Sequence, residues 1–446
     1  MGARVRNLGS AMRQWSHPHL TFARAVTREG IPHAILASAA DVLLAAVGGL
    51  LVVRFLDPSG YADLRVALTY ISWLSIVCGL GMATPILRFC AGRVDERDSA
   101  QRLGEDDPVF NAAIKAGMWA TIMLAGVAAV LAHAGLLMSS PASRKLFLWL
   151  LVSLPFGVAS GYCVAYLQAV RELKRLAGRR IMFRVATVLV TLLAAVYAGV
   201  RGYAASLVVI SAAWAMLMAS TVGWRRFRHV GRPWAVPPGF LMMAAQSLLA
   251  SIVWSVGRTG DLVMLDRLSA DRSGIAAYAV AQTIVVMAGS LLGGLQTVAV
   301  PYFAEMRPGS GELRGRLWRN QVRLTSLAAI SATCAWVAAA VFSVMFLGPS
   351  YRQLPVFAVL LLLGFVMQST FSLVAAALIG IGRVDVNLKV AIVATAAGLG
   401  MCWAGFRQWG LLGMAIGQAG GLALYAVIQW TTAWPILTQR DQLDSI

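Results

Sequence analysis

The chain has 446 residues, of which 59% are hydrophobic and 13% charged, with a net charge of +19 and a mean hydropathy of +0.72. Soluble domains carry about 25% charged residues, so this composition excludes a chain that faces water over most of its surface and predicts one embedded in lipid. The basic residues lie in short segments between apolar runs, which argues against a nucleic-acid-binding face.

The N-terminal segment, residues 1–32, is basic and carries five arginines against the single acid Glu29. The apolar run that follows it continues to Phe55, which is long enough to span a bilayer and longer than the apolar part of a cleaved signal peptide. We therefore interpret residues 1–32 as a basic cytoplasmic arm that leads into the first span.

Apolar segments of about 18 residues or more recur along the rest of the chain, each long enough to cross ~30 Å of hydrocarbon. Because they show no strand alternation, and because backbone in lipid must bond within its own segment, an all-α bundle is predicted. The twelve predicted spans are 33–56, 66–90, 109–134, 146–170, 180–200, 203–223, 240–262, 275–300, 320–347, 354–381, 387–405 and 411–434.

The lysines and arginines between the spans are distributed unequally. With the N-terminus inside, the inner segments hold 28 of the 38 basic residues and the outer segments hold 10. The positive-inside rule then predicts that both termini are cytoplasmic. Since every loop is short, any chemistry is expected within the bundle.

A weak internal repeat divides the chain. The turn Asp57-Pro58-Ser59-Gly60 precedes the second span, and Asp271-Arg272-Ser273-Gly274 precedes the eighth, six helices later. This predicts two six-helix bundles in one orientation with a cleft between them. The predicted units are the arm 1–32, an N-terminal bundle 33–223, a linker 224–239, a C-terminal bundle 240–434 and a tail 435–446.

Asp41 is the acidic residue that lies deepest in a predicted span, about ten residues into the first. It shares a helical face with the small residues Ser38, Ala45 and Gly48. Because an ionisable group in lipid is costly and is usually functional, Asp41 is a candidate for coupling transport to a cation. The alternative is a carboxyl group that bonds to a neighbouring helix.

The seventh span is the most amphipathic, and Arg258 and Asp261 lie on its polar face at a spacing that permits an ion pair. The functional interpretation is a cavity wall that meets an anionic head group. The alternative is a structural ion pair at the outer interface.

Three further residues are candidates for the lining of a cavity. Arg88 lies at the inner end of the second span, where an arginine commonly extends to the membrane surface instead. Gln282 and Gln296 share one polar, uncharged face of the eighth span.

Enzymatic and metal-binding motifs are absent from the sequence. There is no HExxH, GxSxG or Walker sequence, and the five cysteines include no CxxC pair. We expect no metal, no cofactor and no enzymatic activity.

Several stretches resemble those of bacterial polysaccharide repeat-unit flippases, which form the polysaccharide transport branch of the multidrug/oligosaccharidyl-lipid/polysaccharide exporter superfamily. They extend over nearly the whole chain beyond residue 30. These stretches are Arg54 to Tyr61 with Gly79-Leu80-Gly81 and Arg88-Phe89, Asp261 to Tyr278, Leu347 to Tyr351, Gly380 to Arg383, and Gly410 to Ala415.

The resemblance implies a V-shaped, alternating-access transporter that moves undecaprenyl-pyrophosphate-linked oligosaccharide across the bacterial inner membrane for O-antigen or exopolysaccharide synthesis. It implies no enzymatic activity and no nucleic acid, and it suggests a proton or sodium ion as the coupling cation. A polysaccharide polymerase and a chain-length regulator are the implied protein partners.

Three alternatives remain open from the sequence. A multidrug antiporter of the same superfamily would share the fold, although more acidic residues would be expected deep in its spans. A membrane-embedded polysaccharide polymerase or ligase would be expected to place catalytic groups in a large outer loop. A lipid II flippase would be expected to have fourteen spans.

Overall fold

The computed structural model describes residues 31–91, 108–170, 172–223, 236–304, 311–380 and 383–438. Within these ranges the regular secondary structure is entirely helical. The α-helices are α1 Ile31–Val53, α2 Pro58–Cys78, α3 Ala83–Ala91, α4 Pro108–His133, α5 Pro141–Leu151, α6 Leu154–Ala169, α7 Leu173–Val222, α8 Phe240–Leu268, α9 Arg272–Ala304, α10 Gly311–Phe342, α11 Leu354–Ser369, α12 Ser372–Gly380 and α13 Val384–Thr438. A π-helical turn, Ser343–Leu347, and a 3-10 turn, Pro349–Tyr351, connect α10 to α11.

The described helices include six that are long and apolar enough to cross a membrane, or eight if each of two bent pairs is one span. The bent pairs are α2 with α3, at 42°, and α5 with α6, at 49°. The predicted fold class, an all-α multi-pass membrane protein, is therefore confirmed. The count of twelve spans and the predicted domain boundaries stay predictions.

The two longest helices, α7 and α13, each fold back on themselves. The reversals occur at Gly199, with φ 58°, and at Gly410, with φ 61°, a left-handed region in which glycine avoids the steric cost of a side chain. In α7 the rings of Phe183 and Trp214 lie 4.8 Å apart across the reversal. Each of these helices therefore contributes two antiparallel arms.

The two turns of the predicted repeat form the same kind of cap, at α2 and at α9. The carboxylate of Asp57 accepts a hydrogen bond from the backbone N–H of Gly60 at 2.7 Å, and Asp271 accepts one from Gly274 at 3.0 Å. Such caps satisfy backbone donors that the first helical turn leaves unpaired.

These two caps also lower the pKa values of their own aspartates, Asp57 and Asp271. The hydroxyl of Ser59 donates to Asp57 and is the main cause of its lowered pKa. The backbone N–H of Gly274 is the main cause of the lowered pKa of Asp271. Both carboxylates are therefore stabilised in the charged form by their own turn.

The first and second halves of the chain meet along α2, α3 and α8. Trp73 Nε1 of α2 donates to Thr259 Oγ1 of α8 at 2.8 Å. The hydroxyls of Thr84 and Ser247 are also 2.8 Å apart. Polar side chains therefore meet along this seam, which brings the polar face of α8 next to the first half.

Candidate functional site

A small cavity lies between α8, α11 and the two arms of α13. Glycines line part of its wall and let the helices approach closely, since a Cβ at Gly257, Gly398 or Gly421 would meet a neighbouring atom within 3.4 Å. The polar and aromatic side chains that line it are Trp254, Arg258, Gln368, Thr395, Gln418 and Tyr425. This group of six is called the α8/α13 pocket below.

Arg258 is the charged residue of the α8/α13 pocket. Its guanidinium carbon lies 5.7 Å from the ring centroid of Trp254, in a cation–π arrangement. Trp254 in turn meets the edge of Tyr425, with ring centroids 6.4 Å apart. Among the described residues, no carboxylate lies within ion-pair distance of Arg258.

The predicted ion pair between Arg258 and Asp261 is therefore wrong for the described structure. Residues three apart on a helix point about 60° apart, and here α8 directs Arg258 to the pocket and Asp261 to the interior of the second half. Asp261 is fully buried, whereas Arg258 is exposed. Their spacing permitted the pair, but the packing of the neighbouring helices separates them.

Asp261 instead belongs to a buried polar cluster with α9. Its carboxylate accepts hydrogen bonds from the hydroxyl of Tyr278, from Gln282 Nε2 at 2.7 and 2.8 Å and from its neighbour's backbone N–H. The Oε1 atom of Gln282 is buried and makes no hydrogen bond. The cluster thus holds a carboxylate and an unused carbonyl oxygen side by side in an apolar interior.

Gln418 lies between this cluster and the pocket. Its Nε2 donates to the carbonyl of Gly257 at 3.1 Å, and its Oε1 is 3.5 Å from Cys402 Sγ. Because both ends of the amide have partners, Gln418 fixes the second arm of α13 against α8.

A second group of charged residues joins the two halves of the chain. Arg272 of α9 lies 2.7 Å from Asp266 of α8 and 3.7 Å from Asp63 of α2. Ser139, in the α4–α5 connection, donates to Asp266 from its hydroxyl at 2.8 Å and from its backbone N–H at 3.0 Å. Ser143 of α5 donates to Asp63 at 2.7 Å. We call these five residues the bridge.

The other predicted site residues are placed as follows. Arg88 is exposed in the last turn of α3, away from the α8/α13 pocket. Asp41 lies on α1 and Gln296 on α9, but their side chains lie outside the described part of the structure. The structure therefore brings Asp261 and Gln282 together and separates both from Arg88.

Sequence reasoning did not single out Gln368, Gln418, Tyr425 or the bridge. A glutamine inside an apolar run is itself a signal, since a buried amide requires partners. Among the described residues, no group of three or more His, Cys, Asp or Glu is arranged to hold a metal ion.

Comparison with known proteins identifies both a family and a fold. A family described as polysaccharide biosynthesis protein matches residues 29–307. No curated protein matches the chain.

Three solved structures resemble the protein at low sequence identity. An inward-facing multidrug resistance MATE family transporter of the MOP superfamily is 14% identical, with a TM-score of 0.67 and coverage of 91% of this chain and 94% of that one. Lipid II flippase MurJ in an inward closed conformation is 12% identical, with a TM-score of 0.68 and coverage of 89% and 87%. A variant of the Vibrio cholerae MATE transporter VcmN is 15% identical, with a TM-score of 0.59 and coverage of 93% and 98%. At these identities the likeness shows the fold alone.

Proposed function

Since the chain belongs to the polysaccharide biosynthesis protein family, we propose that it flips an oligosaccharide linked to undecaprenyl pyrophosphate across the bacterial inner membrane. Its fold is that of membrane transporters of the MATE and MurJ type. The observation that carries the proposal is the cation Arg258 in a cavity inside the helical bundle, where no described carboxylate pairs with it.

The free-energy cost of placing the charged Arg258 in a membrane helix supports a role for Arg258 in binding an anion. A charged arginine inside a membrane helix is costly unless it meets water or a partner. Structural arginines in proteins usually recover such a cost through a carboxylate partner, which Arg258 lacks among the described residues. An anionic cargo would supply the missing partner, and a guanidinium suits phosphate and carboxylate because it can donate two parallel hydrogen bonds.

In this proposal, Arg88 contributes at the inner membrane surface. It is exposed near one end of the bundle, whereas Arg258 lies well inside α8. An anionic head group would meet Arg88 first and Arg258 second as it moves outward, with both termini cytoplasmic. The two predicted bundles, 33–223 and 240–434, would move relative to each other during this transfer.

We propose that a proton or sodium ion drives the cycle. Asp261 is fully buried, and its partners among the described residues are all neutral donors; within the same part of the chain, Gln282 Oε1 beside it has no hydrogen-bond partner. These oxygens can accept a small cation, which would balance the buried charge. Asp41 and Gln296, on α1 and α9, are further candidates for coupling and cavity lining. A polysaccharide polymerase and a chain-length regulator are the proposed downstream partners.

Reconstitution tests the proposal. Purified protein in liposomes should move a labelled undecaprenyl-pyrophosphate oligosaccharide between leaflets. Arg258→Gln should reduce the rate by at least about 10-fold, since one lost charged hydrogen bond is worth about 1.5–3 kcal/mol, and Arg258→Lys should restore part of it. The matched control is Arg407→Gln, because Arg407 also lies over an indole ring, that of Trp403, at 5.4 Å but outside the pocket. Equal rates for wild type and Arg258→Gln would contradict the role of Arg258, and an inactive wild type would contradict the function.

A further inference from the structure

We propose that the outward face of α10 binds an anionic phospholipid of the surrounding bilayer through Arg319 and Arg323, beside Trp318. We call these three residues the α10 lipid site. The proposed transport cycle does not use this face, so the inference goes beyond the proposed function and does not depend on it. The partner is a membrane lipid that stays beside the protein, in contrast to a transported cargo.

The helix α10 lies at the periphery of the second half of the chain. It packs against α9, α11 and α12, whereas the seam with the first half is formed by α8. Its remaining side is an exposed apolar stripe, and an apolar surface of this kind marks contact with a membrane. The stripe contains residues that are between 40% and 62% exposed, namely Val322, Leu327, Ile330, Val337 and Val341.

Two arginines lie at the beginning of this face. Arg319 and Arg323 are both exposed, and their spacing of four places them one turn apart on the same side of α10. Arg319 Nε donates to the carbonyl of Gly315 at 3.3 Å, so the side chain runs back toward the start of the helix, as arginines do when they extend to the membrane surface. Among the described residues, neither guanidinium has a carboxylate within ion-pair distance. Since like charges at this spacing repel, an anion bound between them would stabilise both.

Trp318 provides the neighbouring surface and belongs to a group of aromatic rings. It is 55% exposed, and its ring centroid lies 6.1 Å from that of Trp430. Trp430 in turn stacks on Trp434 at 4.4 Å and lies 5.2 Å from Phe371. Indole rings favour the level of the lipid head groups, because they combine an apolar body with a polar N–H. These rings therefore place both arginines near the depth of the phospholipid phosphates.

The charge of the α10 lipid site favours an anionic lipid over a zwitterionic one. A guanidinium donates two parallel hydrogen bonds to a phosphate, and phosphatidylglycerol carries no compensating positive group. In phosphatidylcholine, the ammonium would lie close to the arginines and offset part of the attraction. The sequence of residues 311–323 adds to this preference, since it holds four arginines against the single acid Glu312. The occupant is thus a phospholipid of net negative charge.

The first half of the chain offers a matched comparison at α4. In the predicted repeat, α4 and α10 correspond to the third and the ninth spans. Trp119 of α4 is 62% exposed, and the cation one turn before it is the half-buried Lys115. The sequence of α4 contains this one lysine and no arginine. Trp119 is therefore a lipid-facing tryptophan beside a single ammonium instead of a pair of guanidinium groups.

Quenching of tryptophan fluorescence by brominated phospholipids tests the site in the full chain, reconstituted into vesicles. The contribution of each tryptophan is the signal that is lost in Trp318→Phe or in Trp119→Phe. Each basic residue near an anionic lipid favours binding by about five-fold. At Trp318 we therefore expect dibrominated phosphatidylglycerol to bind roughly 25-fold more tightly than dibrominated phosphatidylcholine. At Trp119 the preference should be about five-fold at most.

Variants of the two arginines separate charge from packing. Arg319→Gln combined with Arg323→Gln should reduce the preference at Trp318 to the level at Trp119. Arg319→Lys combined with Arg323→Lys should retain most of it, because lysine keeps the charge.

The control is Arg407→Gln, which removes a cation beside another tryptophan, Trp403, and should leave the preference at Trp318 unchanged. The proposal is overturned if the preference at Trp318 in wild type is no greater than that at Trp119. It is also overturned if the glutamine pair keeps the preference, if the lysine pair loses it, or if Arg407→Gln abolishes it. The wild-type comparison and the lysine pair decide the outcome even if the glutamine pair does not fold.

Discussion

Arg272 Nη1 of α9 lies 3.7 Å from Asp63 Oδ1 of α2, so a cation in the second half of the chain meets a carboxylate in the first. The same guanidinium is 2.7 Å from Asp266, whose side chain is completely buried. The bridge therefore connects the two halves through charged groups that water reaches poorly. Such contacts are strong while they are paired and costly when one partner is removed.

The first prediction is that Asp266→Asn weakens the bridge. The change leaves Arg272 without its nearest carboxylate, and breaking a buried pair costs about 3–5 kcal/mol. Conformations in which α4, α5 and α8 separate should become more populated. Arg267 donates a hydrogen bond to the carbonyl of Leu136 across this junction. Cysteines introduced at Leu136 and Arg267, in a chain whose native cysteines are replaced, should be cross-linked by a short bifunctional reagent several-fold less in the Asp266→Asn background.

The matched control for this experiment is Asp385→Asn. Asp385 pairs with Arg383 at 3.3 Å, but both residues are exposed and close in sequence, and exposed pairs contribute little. Cross-linking should not change in this variant. An unchanged yield in Asp266→Asn as well would show that the bridge does not hold the halves together.

The second prediction concerns the buried cluster around Asp261. Tyr278→Phe removes one of the donors to a carboxylate that has no cationic partner among the described residues. Since hydrogen bonds to charged groups contribute about 1.5–3 kcal/mol, the thermal midpoint in detergent should fall by several degrees. Tyr197→Phe is the control, because Tyr197 is 84% exposed.

A double variant tests whether the hydroxyl of Tyr278 stabilises the protein through Asp261 or the ring does so through packing. If the hydroxyl of Tyr278 acts through Asp261, Tyr278→Phe should cost less in an Asp261→Asn background than in wild type. Additive effects would mean that the tyrosine stabilises the protein through packing alone, for example through its edge contact with Phe357 at 5.8 Å.

The third prediction is a pH dependence of stability from the caps Asp57 and Asp271. Both pKa values are lower in the folded protein than the ordinary 3.8. The stabilisation is therefore present above the unfolded pKa and is lost as the pH falls below it toward the folded pKa. The double variant Asp57→Asn, Asp271→Asn should lose less thermal stability than wild type between about pH 5 and about pH 3.

Asparagine is suited to this comparison because it caps helices about as well as aspartate but does not titrate. Asp57→Ala provides the contrast: it should cost about 1 kcal/mol at about pH 5, through the lost cap, and less at about pH 3, where the wild-type carboxylate is partly protonated. If the asparagine variant and wild type lose stability in parallel on acidification, the two caps do not contribute to acid sensitivity.

The fourth prediction concerns the reversals in α7 and α13. Alanine at Gly199 or Gly410 would be forced into a strained region, with φ near 60° and ψ of −146° or −137°, at a cost of about 1–3 kcal/mol. Gly400 is the matched control, because it lies inside α13 with open space beside it. Gly400→Ala should be neutral or stabilising by up to about 1 kcal/mol. Equal midpoints for Gly410→Ala and Gly400→Ala in thermal unfolding would contradict the proposed strain.

Much of the architecture could be predicted from local sequence. The apolar segments predicted the membrane helices because length and hydropathy alone determine whether a segment can cross lipid. The turns at Asp57 and Asp271 predicted the repeat, since each carboxylate bonds within three residues of itself. The predicted second span is interrupted at residues 79–82, and Pro85 lies in the first turn of α3, where the missing N–H costs little.

Only the tertiary structure decided the environments of Arg258 and Asp261. The sequence determined that both lie on the polar face of α8, and helical geometry fixed the angle between them. It did not determine which neighbours would face each one, because Tyr278 and Gln282 come from α9 and Tyr425 comes from the second arm of α13. In lipid, apolar helices gain little from mere burial, so their mutual rotation is set by close packing and by polar contacts between helices. Such contacts join residues that are distant in sequence, and for that reason the buried carboxylate of Asp261, the guanidinium of Arg258 over Trp254 and the bridge became visible only in the folded chain.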